Sequence, residues 1–158
     1  MPEPSKVSTL GRLRALAELA RPANIVTAWA DILAGVAAAG VAQSLIELVD
    51  TAAFEQLPWL ILSTTGLYGG GVVFNDVFDA PLDAEERPDR PIPSGRISRA
   101  TAGVWGGVLL LVGIVAAGLV SWAAAGIALG VAACAIIYDG YGKHHLVLGP
   151  VNMGVCRG

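Results

Sequence analysis

Four apolar runs, at about residues 24–43, 57–76, 101–121 and 123–138, constrain this chain more than any other feature. A helix needs roughly 20 mostly apolar residues to cross the hydrocarbon core of a bilayer, and each run is near that length. Lipid offers the backbone no hydrogen-bond partners, so a spanning run satisfies its own amides by forming a helix. Hydrophobic residues make up 54% of the 158, against 15% charged, a balance foreign to a water-soluble domain. The expectation is an all-α, polytopic transmembrane helical bundle, four spans plus the start of a fifth at 146–158. The third and fourth runs are joined by almost nothing, which predicts a tight antiparallel pair. Pro22 stands where a proline opens a helix. Trp59 and Trp122 read as interface anchors, and so do Tyr138 and Tyr141 at the opposite face. Asp31 is the single charge inside the first run. Such a carboxylate faces a cavity or lies protonated against a neighbouring helix, and the sequence leaves both open.

Small residues predict close helix packing in lipid. Gly66/Gly70, Gly103/Gly107 and Gly126/Gly130 all have small-xxx-small spacing, and the triple Gly69, Gly70, Gly71 reads as a packing surface. Before the first span, Leu10, Leu13, Ala17 and Ala20 recur at helical spacing beside Arg12, Arg14 and Arg21. That pattern predicts an interfacial helix within an N-terminal arm, residues 1–21. Lys6 and these arginines precede the first run, and Arg87, Arg90, Arg96 and Arg99 lie between the second and third. The connection between the first and second holds Glu47, Asp50 and Glu55 and no Lys or Arg. The positive-inside rule then puts the N-terminus and the 77–100 connection on the cytoplasmic side. A net charge of -3 and pI of about 5.2 give no sign of nucleic-acid binding. Cys134 and Cys156 have neither disulfide-framework nor zinc-site spacing.

Residues Pro58 to Phe74 of the second run are almost wholly apolar or small, and the chain continues NDVFDAPLDAEERPDRPIPSGR, Asn75 to Arg96. On an ideal helix Asn75, Asp76, Asp79 and Asp83 fall within an arc of about 100°. Like charges four residues apart destabilise a bare helix, so a cation gives such a stripe a physical reason. Carboxylates without Cys or His suit Mg²⁺, which takes one or two of them and completes its shell with substrate phosphates and water. Arg87 and Arg90 follow closely, and guanidinium groups grip phosphate. Pro81 disfavours a continuous helix, so Asp83 joins the set only if a new turn starts there. The residues by themselves read as a site for Mg²⁺ and a diphosphate at the membrane face. The plain alternative is a solvated acidic helix end. Topology marking alone accounts for Arg96 and Arg99, while Arg90 stays open between marking and function.

NDVFDAPLD resembles the NDxxDxxxD first aspartate-rich motif of the UbiA superfamily of intramembrane prenyltransferases, and RPDRPIPSGRIS resembles the loop that follows it. ARPANIVTAWADILAG is similar to the first helix of that family, and YDGYGKHHLVLGP to the end of its fourth. The overall look is nearest the EboC-like branch, and the RPxRPIPSGRIS run also resembles archaeal ether-lipid prenyltransferases. The resemblance implies a helical bundle around a lipid-accessible cavity, in which Mg²⁺ holds a prenyl diphosphate while a hydrophobic acceptor attacks the allylic carbon. It implies Asp76, Asp79 and Asp83 as catalytic residues, and Asn75, Asp76, Asp79 and Asp83 as metal ligands. It further implies Arg87, Arg90, Lys143 and Asn24 as diphosphate contacts. The setting it implies is a bacterial inner membrane. The family's second aspartate-rich motif belongs further along; no DxxxD follows Asp83, and Asp139 stands alone. Residues 22–158 are therefore expected to be the N-terminal part of a UbiA-type domain, with half a metal site and no activity by themselves.

Two other classes fit these residues less well. A transporter or channel subunit would use Asp31 and the Asp stripe to coordinate an ion, but leaves Asn75 with Arg87 and the RPIPSG loop unexplained. A CDP-alcohol phosphotransferase would need a DGxxAR arrangement before its DxxxD, and the chain has none.

Overall fold

The structure, a computed structural model, describes residues 8–38 and 51–141. Among these residues there are six helices and no strand: α1 Thr9–Leu19, α2 Pro22–Ala38, α3 Thr51–Phe78, α4 Ala80–Glu86, α5 Arg99–Val120 and α6 Trp122–Gly140. Three segments are long and apolar enough to cross a membrane, Glu55–Phe78, Arg99–Val120 and Trp122–Gly140, and α2 is a shorter apolar helix. The end of the first expected span and the start of a fifth lie outside the described residues. The second span begins slightly earlier than the sequence suggests, at Glu55, in a helix that starts at Thr51 and runs through Pro58; a proline within a spanning helix is tolerated where neighbours compensate.

Local chemistry sets the ends. Ser8 caps α1 by accepting from the Gly11 N–H at 3.1 Å, and Ser98 caps α5 by accepting from Thr101 N–H at 3.1 Å. Ser121 serves two helices at once. Its N–H donates to the Ala117 carbonyl at 3.1 Å, closing α5, and its hydroxyl accepts from Ala124 N–H at 3.0 Å, opening α6. With extended backbone at this one residue, the expected antiparallel pair follows.

Helix α3 is the centre, packed against α2, α5 and α6. Against α5 it uses glycine. A Cβ on Gly66 would lie 2.5 Å from the Leu109 carbonyl oxygen and 2.7 Å from the Gly113 nitrogen; one on Gly113 would lie 2.8 Å from Ser63 O. The two backbones approach as only glycine permits. Gly70 meets Leu110 and the Gly106 carbonyl in the same antiparallel seam. By contrast nothing described lies within 4 Å of a Cβ on Gly103, Gly107, Gly126 or Gly130, so one of the three small-xxx-small pairs carries this packing. On the far side of α5, Val104, Val108, Leu111, Val115 and Leu119 are exposed. A continuous apolar stripe of that length is costly in water and ordinary in lipid.

The buried core sits at the motif end, where Leu19, Val73, Ile97 and Ala102 meet, flanked by Leu16, Val77, Ile92, Trp105 and Leu109. It fastens α1 and the loop after α4 to the α3–α5 pair. Ala15 and Leu19 are the residues α1 buries, while Leu10 and Leu13 are left exposed, so the interfacial face and the docking face of α1 are distinct. Arg96, which the sequence assigned to topology alone, ties these parts together. It donates to Glu18 at 2.7 and 3.1 Å and to the Asp89 carbonyl at 2.7 Å.

Candidate functional site

The aspartate motif is bent rather than straight. Helix α3 ends at Phe78 and α4 starts at Ala80, with Pro81 in its first turn, where a missing N–H costs nothing. Backbone bonds nevertheless cross the junction, Asp79 N–H to Asn75 O at 2.9 Å and Asp83 N–H to Asp79 O at 2.8 Å. The side of Asp76 and Asp83 therefore stays shared, and both are buried. Arg90 lies between them: its Nη1 is 2.6 Å from Asp83 Oδ2 and 3.1 Å from Asp76 Oδ1. Arg21 reaches the same Asp76 oxygen at 2.7 Å from the junction of α1 and α2.

The positions of both arginines are built in by the backbone. Arg90 begins a knotted loop in which Ser94 donates to its carbonyl twice, through N–H at 2.9 Å and through Oγ at 2.6 Å. Gly95 takes φ 74°, open to glycine at no steric cost, and Ile97 N–H closes on Pro91 O at 3.1 Å. Arg21 has φ 48°, a left-handed conformation that costs a non-glycine residue about 1–2 kcal/mol. Pro22 discourages the right-handed alternative, and the Arg21 carbonyl accepts from Asn24 N–H at 2.9 Å as α2 begins. The strain turns the chain sharply and aims a guanidinium at Asp76.

Beside this cluster lies a cavity of about 850 Å³. Its walls are α3 and α6, which run parallel with a fixed register. Asn75 meets Asp139, 64 residues on, and Gly71 meets Ala135 at the same offset. Leu60, Leu67, Val72, Ile127, Ala128 and Val131 make most of the lining apolar, with Ile32 closing one side. The charged groups gather at one end, where Arg21, Asn75, Tyr138 and Asp139 lie, while Ser63, Thr64 and Tyr68 place hydroxyls further along the wall. From Leu60 to Asn75 the wall is about 22 Å long at 1.5 Å per residue. A long oily slot with a charged head is the shape that results.

Residues 25–158 match the family model described as the UbiA prenyltransferase family. The chain belongs to that family. It is 38% identical over 144 residues to a digeranylgeranylglyceryl phosphate synthase of Methanothrix thermoacetophila, covering 90% of this chain and 51% of that protein. The enzyme of the same name from Pyrococcus horikoshii is 35% identical over 131 residues, covering 79% and 42%. A solved structure of a digeranylgeranylglyceryl phosphate synthase superposes with a TM-score of 0.78 at 25% identity, covering 92% of this chain and 49% of that one. The chain thus spans about half the length of the curated relatives it matches.

Against the UbiA motif, the structure divides the expected residues. Asp76 and Asp83 converge on one cationic atom. Asn75, about 100° round the helix from Asp76, turns to the cavity, where its amide donates to Asp139 Oδ1 at 3.0 Å; the aspartate that the sequence left standing alone has a partner there. Asp79 is half-buried at the bend. Among the described residues no three His, Cys, Asp or Glu side chains gather into a metal cage. Arg87 is largely exposed, 4.0 Å from Asp83, so Arg90 is the arginine that enters the cluster. Asn24 is exposed and outside the cavity lining. Asp31 is exposed as well, neither lining the cavity nor buried against a described helix. Tyr138 lines the cavity, whereas Tyr141 is exposed as an anchor would be. Lys143 lies outside the described residues. Sequence reasoning missed Arg21 and Asp139. The signal for Arg21 was an arginine immediately before a helix-opening proline at the face of the membrane that carries the motif.

Proposed function

We propose that the protein transfers an isoprenyl group from a prenyl diphosphate to a hydrophobic acceptor inside the membrane. The observation that carries this reading is the apolar cavity whose polar end is walled by Arg21, the residue that also holds Asp76. The diphosphate head lies at that end, near Arg21 and Arg90, and the isoprenoid tail lies along α3 and α6. Because the relatives are named for a glyceryl phosphate lipid, a lipid-like acceptor is favoured over an aromatic one. The N-terminus and the motif face the cytoplasm, in keeping with the contact of α1 with the arginine-rich loop at one end of the bundle.

The donor set suits Mg²⁺. It consists of hard carboxylate oxygens, and Asp76 and Asp83 already share a single positive centre in the Arg90 nitrogen. Asp76, Asp83 and Asn75 are the proposed ligands, with Asp79 at the bend between them; bound there with the diphosphate, Mg²⁺ would supply positive charge to the departing oxygen. The guanidinium groups of Arg21 and Arg90 add to that charge from fixed positions, which is where pre-placed cations lower a barrier most. The allylic C–O bond breaks and its electron pair leaves with the diphosphate. The acceptor then bonds to the cationic carbon and gives up its proton. The apolar lining of α3 and α6 keeps water from capturing the cation first.

The test is binding of a non-hydrolysable prenyl thiolodiphosphate to the protein in lipid nanodiscs, with and without Mg²⁺. We expect binding that requires Mg²⁺ and is lost in the Asp76→Asn, Asp83→Asn double variant. Binding of equal strength without the metal, or in the double variant, would overturn the reading.

A further inference from the structure

We infer that Asp139 is a positioning residue that sets the amide of Asn75, so that its carbonyl oxygen, not its nitrogen, is offered to the cation and diphosphate. This rests on the functional reading above and adds a residue to it. Asp139 is 6% exposed, in the last turn of α6. Its Oδ1 accepts from Asn75 Nδ2 at 3.0 Å across the polar end of the cavity. An amide offers a donor on one side and an acceptor on the other, and in this pair Asp139 Oδ1 is the acceptor. Turning Asn75 over would set two oxygens against each other. The pair therefore locks one of two nearly isosteric orientations and leaves the amide oxygen facing away from Asp139. A carbonyl oxygen is a ligand for a hard cation, and an amide nitrogen is not. Partners of this kind, holding a ligand by its other atom, are worth 10–100-fold in metal affinity.

Simple adhesion between helices is a poorer account. Here α3 and α6 are already aligned by contacts such as Gly71 with Ala135, and a buried carboxylate in a membrane helix is a costly way to add one more. Its place in the cavity wall, opposite the first residue of the motif, is what a role in orientation requires.

The experiment measures the Mg²⁺ concentration for half-maximal binding of the thiolodiphosphate, in nanodiscs, for five proteins. Asp139→Leu removes the acceptor at similar size, and we expect the half-point to rise about 10–100-fold. Asp139→Asn keeps a contact between the helices but can pair with either orientation of the Asn75 amide, because its own amide both donates and accepts, so its half-point should rise as well. In an Asn75→Ala background, Asp139→Leu should add nothing further, because the residue through which it acts is gone. An unchanged half-point in Asp139→Leu, an unchanged half-point in Asp139→Asn, or additivity in the double variant would each overturn the inference while leaving the functional reading standing. Absence of Mg²⁺-dependent binding in the original protein would overturn both.

Discussion

Arg90 shows how much one side chain can decide. Asp76 and Asp83 keep only 7% and 5% of their side-chain surface exposed, and one Arg90 nitrogen touches both carboxylates. Removing one partner from a buried ion pair costs about 3–5 kcal/mol, because the other charge is left uncompensated. Arg21 still neutralises part of Asp76 in that case, so the lower end of the range applies. We expect Arg90→Ala to lose about 3 kcal/mol of stability, read as a fall in thermal midpoint in metal-free nanodiscs. Millimolar Mg²⁺ should restore more of that midpoint than it adds to the original protein, since a divalent cation would then occupy an uncontested site. Arg90→Lys should recover only part of the loss. A lysine carries the charge on a more strongly hydrated ammonium, which loses more when it is buried beside the two carboxylates. An Arg90→Ala midpoint that stayed low at every Mg²⁺ concentration would show that the arginine and the metal do not share these carboxylates.

Among the helices, the α3–α5 seam makes the sharpest claim, and its glycines supply their own controls. A methyl on Gly66 or Gly113 would collide with backbone atoms of the facing helix at 2.5–2.8 Å. Backbone cannot move aside as a side-chain tip can, so the helices must separate. Overpacking of this kind costs about 1–3 kcal/mol. Gly66→Ala and Gly113→Ala should therefore lower resistance to unfolding in mixed micelles. Gly103→Ala and Gly126→Ala, with no described atom within 4 Å of the new methyl, should be neutral or slightly stabilising, by at most about 1 kcal/mol of helix propensity. If all four behaved alike, the seam would not be glycine-dependent. All these positions look the same as spacing in the sequence. Facing is a property of two helices, and spacing within one cannot report it.

For the molecule as a whole, what was legible was local. Apolar length gave the three spans found among the described residues, and the proline at 22 and the bend at Pro81 follow from backbone chemistry within a few residues. The partnerships that make the site were not legible. Arg21 finds Asp76 across 55 residues and Asn75 finds Asp139 across 64, and nothing in either segment names the other. The longest of these ties, Glu18 to Arg96 across 78 residues, fastens the N-terminal helix to the loop that holds Arg90, and it is testable by pH. The hydrogen bonds from Arg96 hold the Glu18 carboxyl below its ordinary value of 4.5, against the opposing effect of burial and with help from the charges of Arg96 and Arg14. Arg96 is raised in turn by the same bond, beyond any accessible pH. A carboxyl depressed in the folded state adds stability that is complete above its unfolded value and is lost as pH falls through its folded value. The tie should accordingly be intact near neutrality and weaken progressively below about pH 4.5. Glu18 and Arg96 are 47% and 36% exposed, so water and salt screen the pair, and such surface pairs give about 0.2–1 kcal/mol. We expect hydrogen exchange of the α1 amides to quicken relative to those of α5 between pH 5 and pH 3, after correction for intrinsic rates. Glu18→Gln should show the faster exchange at neutral pH and no further change on acidification. Identical pH profiles in the two proteins would mean that α1 is held by Ala15 and Leu19 alone.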